Sequence, residues 1–158
     1  MRKTFVPIVL ASIASLSLAL LAAPALAKTK PPAIKSVKFN GTPAEPQVVV
    51  KGTGLGAQPF PEPTPNCFEE EPIGLGNDYG TSAVLTDSNA GWSAGEGLGD
   101  CIGLIFQTFT ETEVVFELGS AYHEYVPLHK GDSYTLTINE LEISGSVKIK
   151  EPKAKKGK

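Results

Sequence analysis

The stretch VVVKGTGLGAQPFPEP, residues 48–63, decides how the chain is read. Three valines run into Gly52-Thr53-Gly54-Leu55-Gly56-Ala57, the G-x-G-x-x-G/A spacing of a dinucleotide-binding turn. Such a turn works only when a helix begins at its last glycine, so that free N–H groups meet the pyrophosphate. Here Pro59, Pro61, Pro63 and Pro65 follow at every second position. Each removes a backbone donor and pushes the preceding residue out of the helical region. No helix can start there, so the valines read as a strand and the glycines as its exit.

Working outward, the periodicity is that of strands. IKSVKFN (34–40) sets Val37 and Phe39 on one face against Lys38, and PQVVVKG continues the pattern after Gly41-Thr42-Pro43. TSAVLTD (81–87) and CIGLIFQTFT (101–110) add two more, the latter setting Ile102, Leu104 and Phe106 against Gly103, Ile105 and Gln107. TEVVFELG offers Val114, Phe116 and Leu118. SYTLTIN and LEISGSVKIK alternate most cleanly and are joined by Asn139-Glu140, which predicts a hairpin. No window carries a capped i, i+3, i+4, i+7 apolar stripe. About seven short strands between Gly- and Pro-rich turns predict an all-β, antiparallel β-sandwich. Residues 57–109 form an atypical loop-rich insertion within it.

The N-terminus reads as an address. Arg2 and Lys3 precede an apolar run from Phe5 to Leu21, and Ala25-Leu26-Ala27 supplies a signal-peptidase site, so residues 1–27 are expected to be a signal peptide. The sandwich domain then spans 28–150, and 151–158 is a Lys-rich tail. No later segment is apolar enough to span a bilayer, so the mature chain is expected to be secreted or cell-surface associated, without a membrane span.

Export makes a disulfide between Cys67 and Cys101 the default reading, because the additional Cys and His ligands that a metal would need are missing. It would close a loop of about 35 residues, worth about 3–4 kcal/mol in the chain-entropy model. Between Gly52 and Val147 the chain holds fifteen Asp and Glu against one basic residue, Lys130. That acidity excludes a nucleic-acid groove, which needs clustered positive charge.

Catalytic motifs fail on context. His123 and His129 lie in HEYVPLH, where Pro127 breaks any H-E-x-x-H helix, and no serine sits in G-x-S-x-G. A small carboxylate-dependent hydrolase is the last-ranked reading, since geometry and not sequence would define its acids. Oxygen-rich turns give weak metal candidates in GNDYG and DSNAG, namely Asn77, Asp78, Asp87 and Asn89, with calcium as the ion they would suit. Asp and Asn are equally ordinary turn residues. Candidate ligand-binding aromatics are Trp92, Tyr79, Tyr122 and Tyr125, where a ring among small neighbours can stack on a sugar. The competing reading makes Trp92 a cap on the core.

PPAIKSVKFNGTPAEPQVVVKGTGLG resembles the opening of IPT/TIG immunoglobulin-like domains, TETEVVFEL their T-x-I-x-F strand, and GDSYTLTINELEISGSVKI their closing hairpin. The resemblance covers about 31–56 and 110–150, and the Cys-bearing acidic segment 57–109 departs from it. It implies an immunoglobulin-like sandwich serving as a non-catalytic binding module for a protein or cell-envelope glycan. No functional residue carries over, because the shared motif is scaffold. The alternative is a carbohydrate-binding module with an aromatic platform and a structural calcium. The oligomeric state is left open.

Overall fold

In the computed structural model the described residues are 30–62, 77–97 and 100–150. The signal-peptide segment 1–27, Cys67 and the tail 151–158 lie outside them.

Eight strands occur among the described residues: β1 (Ala33–Thr42), β2 (Glu45–Thr53), β3 (Ala83–Asp87), β4 (Trp92–Ala94), β5 (Leu104–Phe109), β6 (Glu113–Leu118), β7 (Ser133–Ile138) and β8 (Leu141–Ser146). A short 3-10 helix, Ser120–Glu124, lies between β6 and β7. The strands form two antiparallel sheets of four, ordered β1-β2-β6-β5 and β4-β3-β7-β8. The expected all-β sandwich is therefore present, with one strand more than expected. The additional strand is β4, three residues long, too short for an alternating pattern to stand out.

Side-chain alternation builds the core. On β2, Pro46, Val48, Val50 and Gly52 are buried in strict period two, and on β7 Tyr134, Leu136 and Ile138 are. Phe116 and Val114 of β6 face them, with both fully excluded from solvent. Phe39 of β1 meets Tyr134 of β7 edge to face at 5.0 Å, a contact that joins the two sheets. Gly145 lies opposite Tyr134 in the β7–β8 ladder, and a Cβ there would stand 2.9 Å from the phenol oxygen. The glycine makes room for the ring.

The β7–β8 hairpin turns on Asn139 (φ 46°) and Glu140 (φ 69°). Two successive left-handed residues form the two-residue turn whose twist matches that of the strands it joins.

The 52–57 glycine run forms a plug. Gly54 (φ 59°) and Gly56 (φ 82°) take left-handed conformations on either side of Leu55, whose side chain is fully buried. The Asn139 amide donates to the carbonyls of Leu55 (2.7 Å) and Ala57 (2.8 Å), joining this exit to the β7–β8 turn. Among the described residues no helix starts over 57–62, as the prolines require.

The 57–109 region is less loop-like than its composition suggests, since β3, β4 and β5 all lie within it. Its described connections also close the side of the sandwich between β4 and β5. Leu104 N–H donates to Asn77 O (2.6 Å), Tyr79 N–H to Gly95 O (2.6 Å) and Gly95 N–H to Ile102 O (2.7 Å). Ile102 and Tyr79 are buried there. No cysteine among the described residues is free, and Cys101 is engaged. No helix among them is long and apolar enough to cross a membrane.

Candidate functional site

The aromatic candidates do not form an exposed platform. Trp92 is 1% exposed, its indole N–H donates to Val126 O at 3.0 Å, and its ring meets Tyr122 edge to face at 5.4 Å. Tyr122 is equally buried: its hydroxyl donates to Pro43 O and accepts from Leu128 N–H, both at 2.7 Å. Tyr79 is buried against Phe106 at 4.9 Å. Tyr125 is half-buried, its hydroxyl beside the Asp100 carboxylate. A sugar needs an open ring face, and those of Trp92, Tyr79 and Tyr122 are buried against other side chains. The platform expected from Trp92, Tyr79 and Tyr122 is thereby corrected: these are core residues whose polar tips hold loops in place.

The oxygen-rich turns are also committed elsewhere. Asp87 Oδ1 accepts from the N–H groups of Asn89 (2.8 Å) and Ala90 (3.0 Å), and Asn89 Oδ1 accepts from Ser133 N–H (2.7 Å). These bonds shape the β3–β4 turn and fasten it to β7, the ordinary work of Asp and Asn in turns. Asn77 is exposed beside a buried Asp78. Among the described residues no three His, Cys, Asp or Glu side chains group as a metal would need. The Oδ1 atoms of Asp87 and Asn89 are engaged by backbone N–H groups.

What the fold does assemble is a cleft at the end of the sandwich where the β1–β2 turn, the end of β6 and the 3-10 helix meet. It encloses about 490 Å³ and is lined by Asn40, Gly41, Ala44, Glu45, Pro46, Gln47, Glu117, Leu118, Tyr122 and His123. Each wall has a local cause. Gly41 (φ 80°) starts the turn, and Thr42 Oγ1 accepts from Glu45 N–H at 3.2 Å. Gln47 and Glu117 are ladder partners across β2 and β6, so they stand side by side on the outer face. Gln47 Nε2 is directed further along that face to Gln107 Oε1 at 3.1 Å. The helix wall is held by the Tyr122 and Trp92 bonds, which leave His123 exposed at the rim.

The cleft is polar and carries the carboxylates of Glu45 and Glu117 with one imidazole. The ion pair seen among the described residues, Lys51 Nζ to Glu113 Oε2 at 3.1 Å, lies elsewhere. The two cleft carboxylates are thus placed to accept hydrogen bonds from a ligand that carries N–H, O–H or cationic groups. Burial raises the Tyr122 phenol above its ordinary range, so it stays a neutral donor to Pro43. Of the lining residues only Tyr122 stood out in the sequence, because the others come from separated segments that are each ordinary by themselves. His123, set in HEYVPLH, fits no catalytic motif.

No family model matches the chain, and no curated protein or solved structure matches it either.

Proposed function

We propose that the chain is an exported, non-catalytic binding module built on an immunoglobulin-like sandwich of the IPT/TIG kind, recognising a protein or cell-envelope ligand through its loops. The strand order carries this reading. In immunoglobulin-like sandwiches one sheet runs A-B-E-D and the other contains C-F-G, with C′ added beside C. Numbering β1 to β8 as A, B, C, C′, D, E, F and G turns β1-β2-β6-β5 into A-B-E-D and β4-β3-β7-β8 into C′-C-F-G. Tyr122, between E and F, spans with its hydroxyl from Pro43 to Leu128, much as the tyrosine of the E–F corner does in that fold.

Within this reading, Cys67 and Cys101 form a disulfide that pins the long B–C connection to the C′–D connection, residues 1–27 are removed on export, and the acidic cleft is the recognition surface. An aromatic platform no longer supports the carbohydrate alternative.

The test is capture of envelope components by the mature chain, alongside a glycan array, for wild type and for the Glu45→Lys/Glu117→Lys double variant. A protein or glycan retained by wild type and lost by the folded variant supports the reading. Retention that ignores the cleft charges moves recognition elsewhere and sinks the cleft as the binding surface.

A further inference from the structure

The acidic cleft and the last described residues share one end of the sandwich. β7 starts at that end, after the 3-10 helix, and β8 runs antiparallel to β7, so it returns to where β7 set out. Beyond β8 the path is fixed. Val147 N–H donates to Asp132 O (2.8 Å), Val147 O accepts from Gly131 N–H (2.9 Å), and Val147 and Ile149 are both buried. A short relay of contacts leads from this path to the cleft wall. Gly145 lies against the Tyr134 ring, Tyr134 meets Phe39 at 5.0 Å, and Phe39 precedes Asn40, which lines the cleft. Lys150, where the described residues end, is exposed.

The residues that follow are Glu151-Pro152-Lys153-Ala154-Lys155-Lys156-Gly157-Lys158. Fully extended, this segment reaches roughly 26 Å, further than the six-residue β8 spans, so the cleft is within range. It carries four lysines against the single acid at its start. The cleft carries the opposite charge, and among the described residues neither Glu45 nor Glu117 is in an ion pair. Gln47 stands opposite Glu117 in the β2–β6 ladder, and Glu45 lies two residues before Gln47. The two glutamates are therefore diagonal neighbours on one face, about 7 Å apart at Cβ. Lysines two apart in an extended chain project from one side at nearly the same spacing, since each residue advances about 3.3 Å. Lys153 with Lys155, and Lys156 with Lys158, are two such pairs. Either pair can set one ammonium against each carboxylate.

We propose that segment 151–158 folds back into the acidic cleft as its resident occupant, with Glu45 and Glu117 each accepting from a lysine ammonium. Docking of this kind rests on the cleft being a recognition surface, and it makes an external ligand a cationic competitor of the chain's own lysines. Exposed ion pairs are individually weak. The tether compensates, because it turns the encounter into an intramolecular one with a high effective concentration. The contact is therefore reversible and sensitive to salt, a self-mask that a stronger ligand displaces.

Zero-length carbodiimide coupling of the mature chain at low salt and low protein concentration tests the contact, since it joins an amine to a carboxylate only where the two meet. Amide links from Lys153, Lys155, Lys156 or Lys158 to Glu45 and Glu117 should form within the monomer. They should exceed several-fold the links to Glu124 and Glu142, which are exposed but do not line the cleft. In about 1 M salt, where the Debye length is about 3 Å, that excess should vanish. The second measurement compares NMR shifts of wild type with those of the Lys153→Gln/Lys155→Gln/Lys156→Gln/Lys158→Gln variant. Differences should concentrate in residues 40–47 and 117–123, the His123 ring included. Equal coupling to all exposed acids overturns the proposal, and so do identical spectra over those residues. Links found only in coupled dimers, with shift differences that disappear on dilution, would give the cleft to a second copy's lysines and also overturn it. Capture of envelope components keeps the two readings apart. Capture that needs Glu45 and Glu117 but ignores the four lysine substitutions keeps the cleft as a ligand site and overturns the docked segment. Capture strengthened several-fold by those substitutions supports it. Links to Glu45 and Glu117 alongside capture that ignores the cleft charges support the docked segment and sink the cleft as a ligand site.

Discussion

The side-chain amide of Asn139 donates to the carbonyl oxygen of Leu55 at 2.7 Å, linking residues 84 positions apart in the chain. The same nitrogen reaches Ala57 O at 2.8 Å. One turn residue therefore holds the strand exit that superficially resembles a cofactor loop, while Leu55 drops between the sheets. Replacing Asn139 by glycine keeps the left-handed backbone and deletes both bonds. We expect a loss of about 1–2 kcal/mol in denaturant unfolding, from two bonds worth about 0.5–1.5 kcal/mol each. An unchanged midpoint would mean that the amide bonds are immaterial to stability.

Leu55 itself should matter more. It is fully buried although it sits outside any strand. Truncation of Leu55 to alanine is expected to cost about 2–5 kcal/mol, the range for a buried leucine that leaves a cavity. A loop residue that merely covered the surface would cost well under 1 kcal/mol, so equilibrium unfolding separates the two roles.

At Glu140 the expectation is reversed. Its φ of 69° places a side chain where glycine is preferred in a two-residue hairpin turn. The Glu140→Gly substitution removes a strain of about 1 kcal/mol and adds some unfolded-chain entropy. A net gain of a few tenths of a kcal/mol, read as a higher urea midpoint at unchanged slope, is the predicted outcome.

Trp92 is the sole tryptophan, so fluorescence reports directly on its environment. Native emission should be blue-shifted and move to the red on unfolding. Trp92→Phe keeps a ring against Tyr122 and leaves Val126 O without its donor, which should cost about 1–3 kcal/mol. Emission typical of an exposed indole in the native state would contradict its placement.

The alkaline side carries its own prediction. Tyr79, Tyr122 and Tyr134 are all raised above the ordinary tyrosine value of 10.0, chiefly by burial. Their contribution to stability is complete below that value and is lost as pH rises through the higher folded values. Absorbance of phenolate should therefore appear cooperatively, together with loss of the folded signal. A smooth titration of all four tyrosines near pH 10 in the folded chain would show them to be exposed.

How far the sequence could be read depended on where the information sits. The valines of β2 and the alternation of β7 and β8 are local: a period of two fixes which residues face inward, and Asn139-Glu140 fixes the turn between them. Failure of the dinucleotide reading was local too, because prolines act on their own neighbours. The β4 strand escaped notice because three residues cannot display a period.

The functional residues were harder still. Trp92, Tyr79 and Tyr122 carry the same composition whether their rings face water or core, and only packing decides which. Asp87 looked like a turn residue and is one, through Oδ1. That its second oxygen is buried without a donor depends on β3 lying beside β7, where Asp87 pairs with Tyr134. The sequence by itself determined the seven longer strands, the acidic middle and the failure of a helix to start at the last glycine, since each follows from neighbouring residues. Only the tertiary structure decided the order of the strands, the cleft between Glu45, Glu117 and His123, and the burial of Asp87. Those depend on which distant segments the burial of apolar side chains brings together.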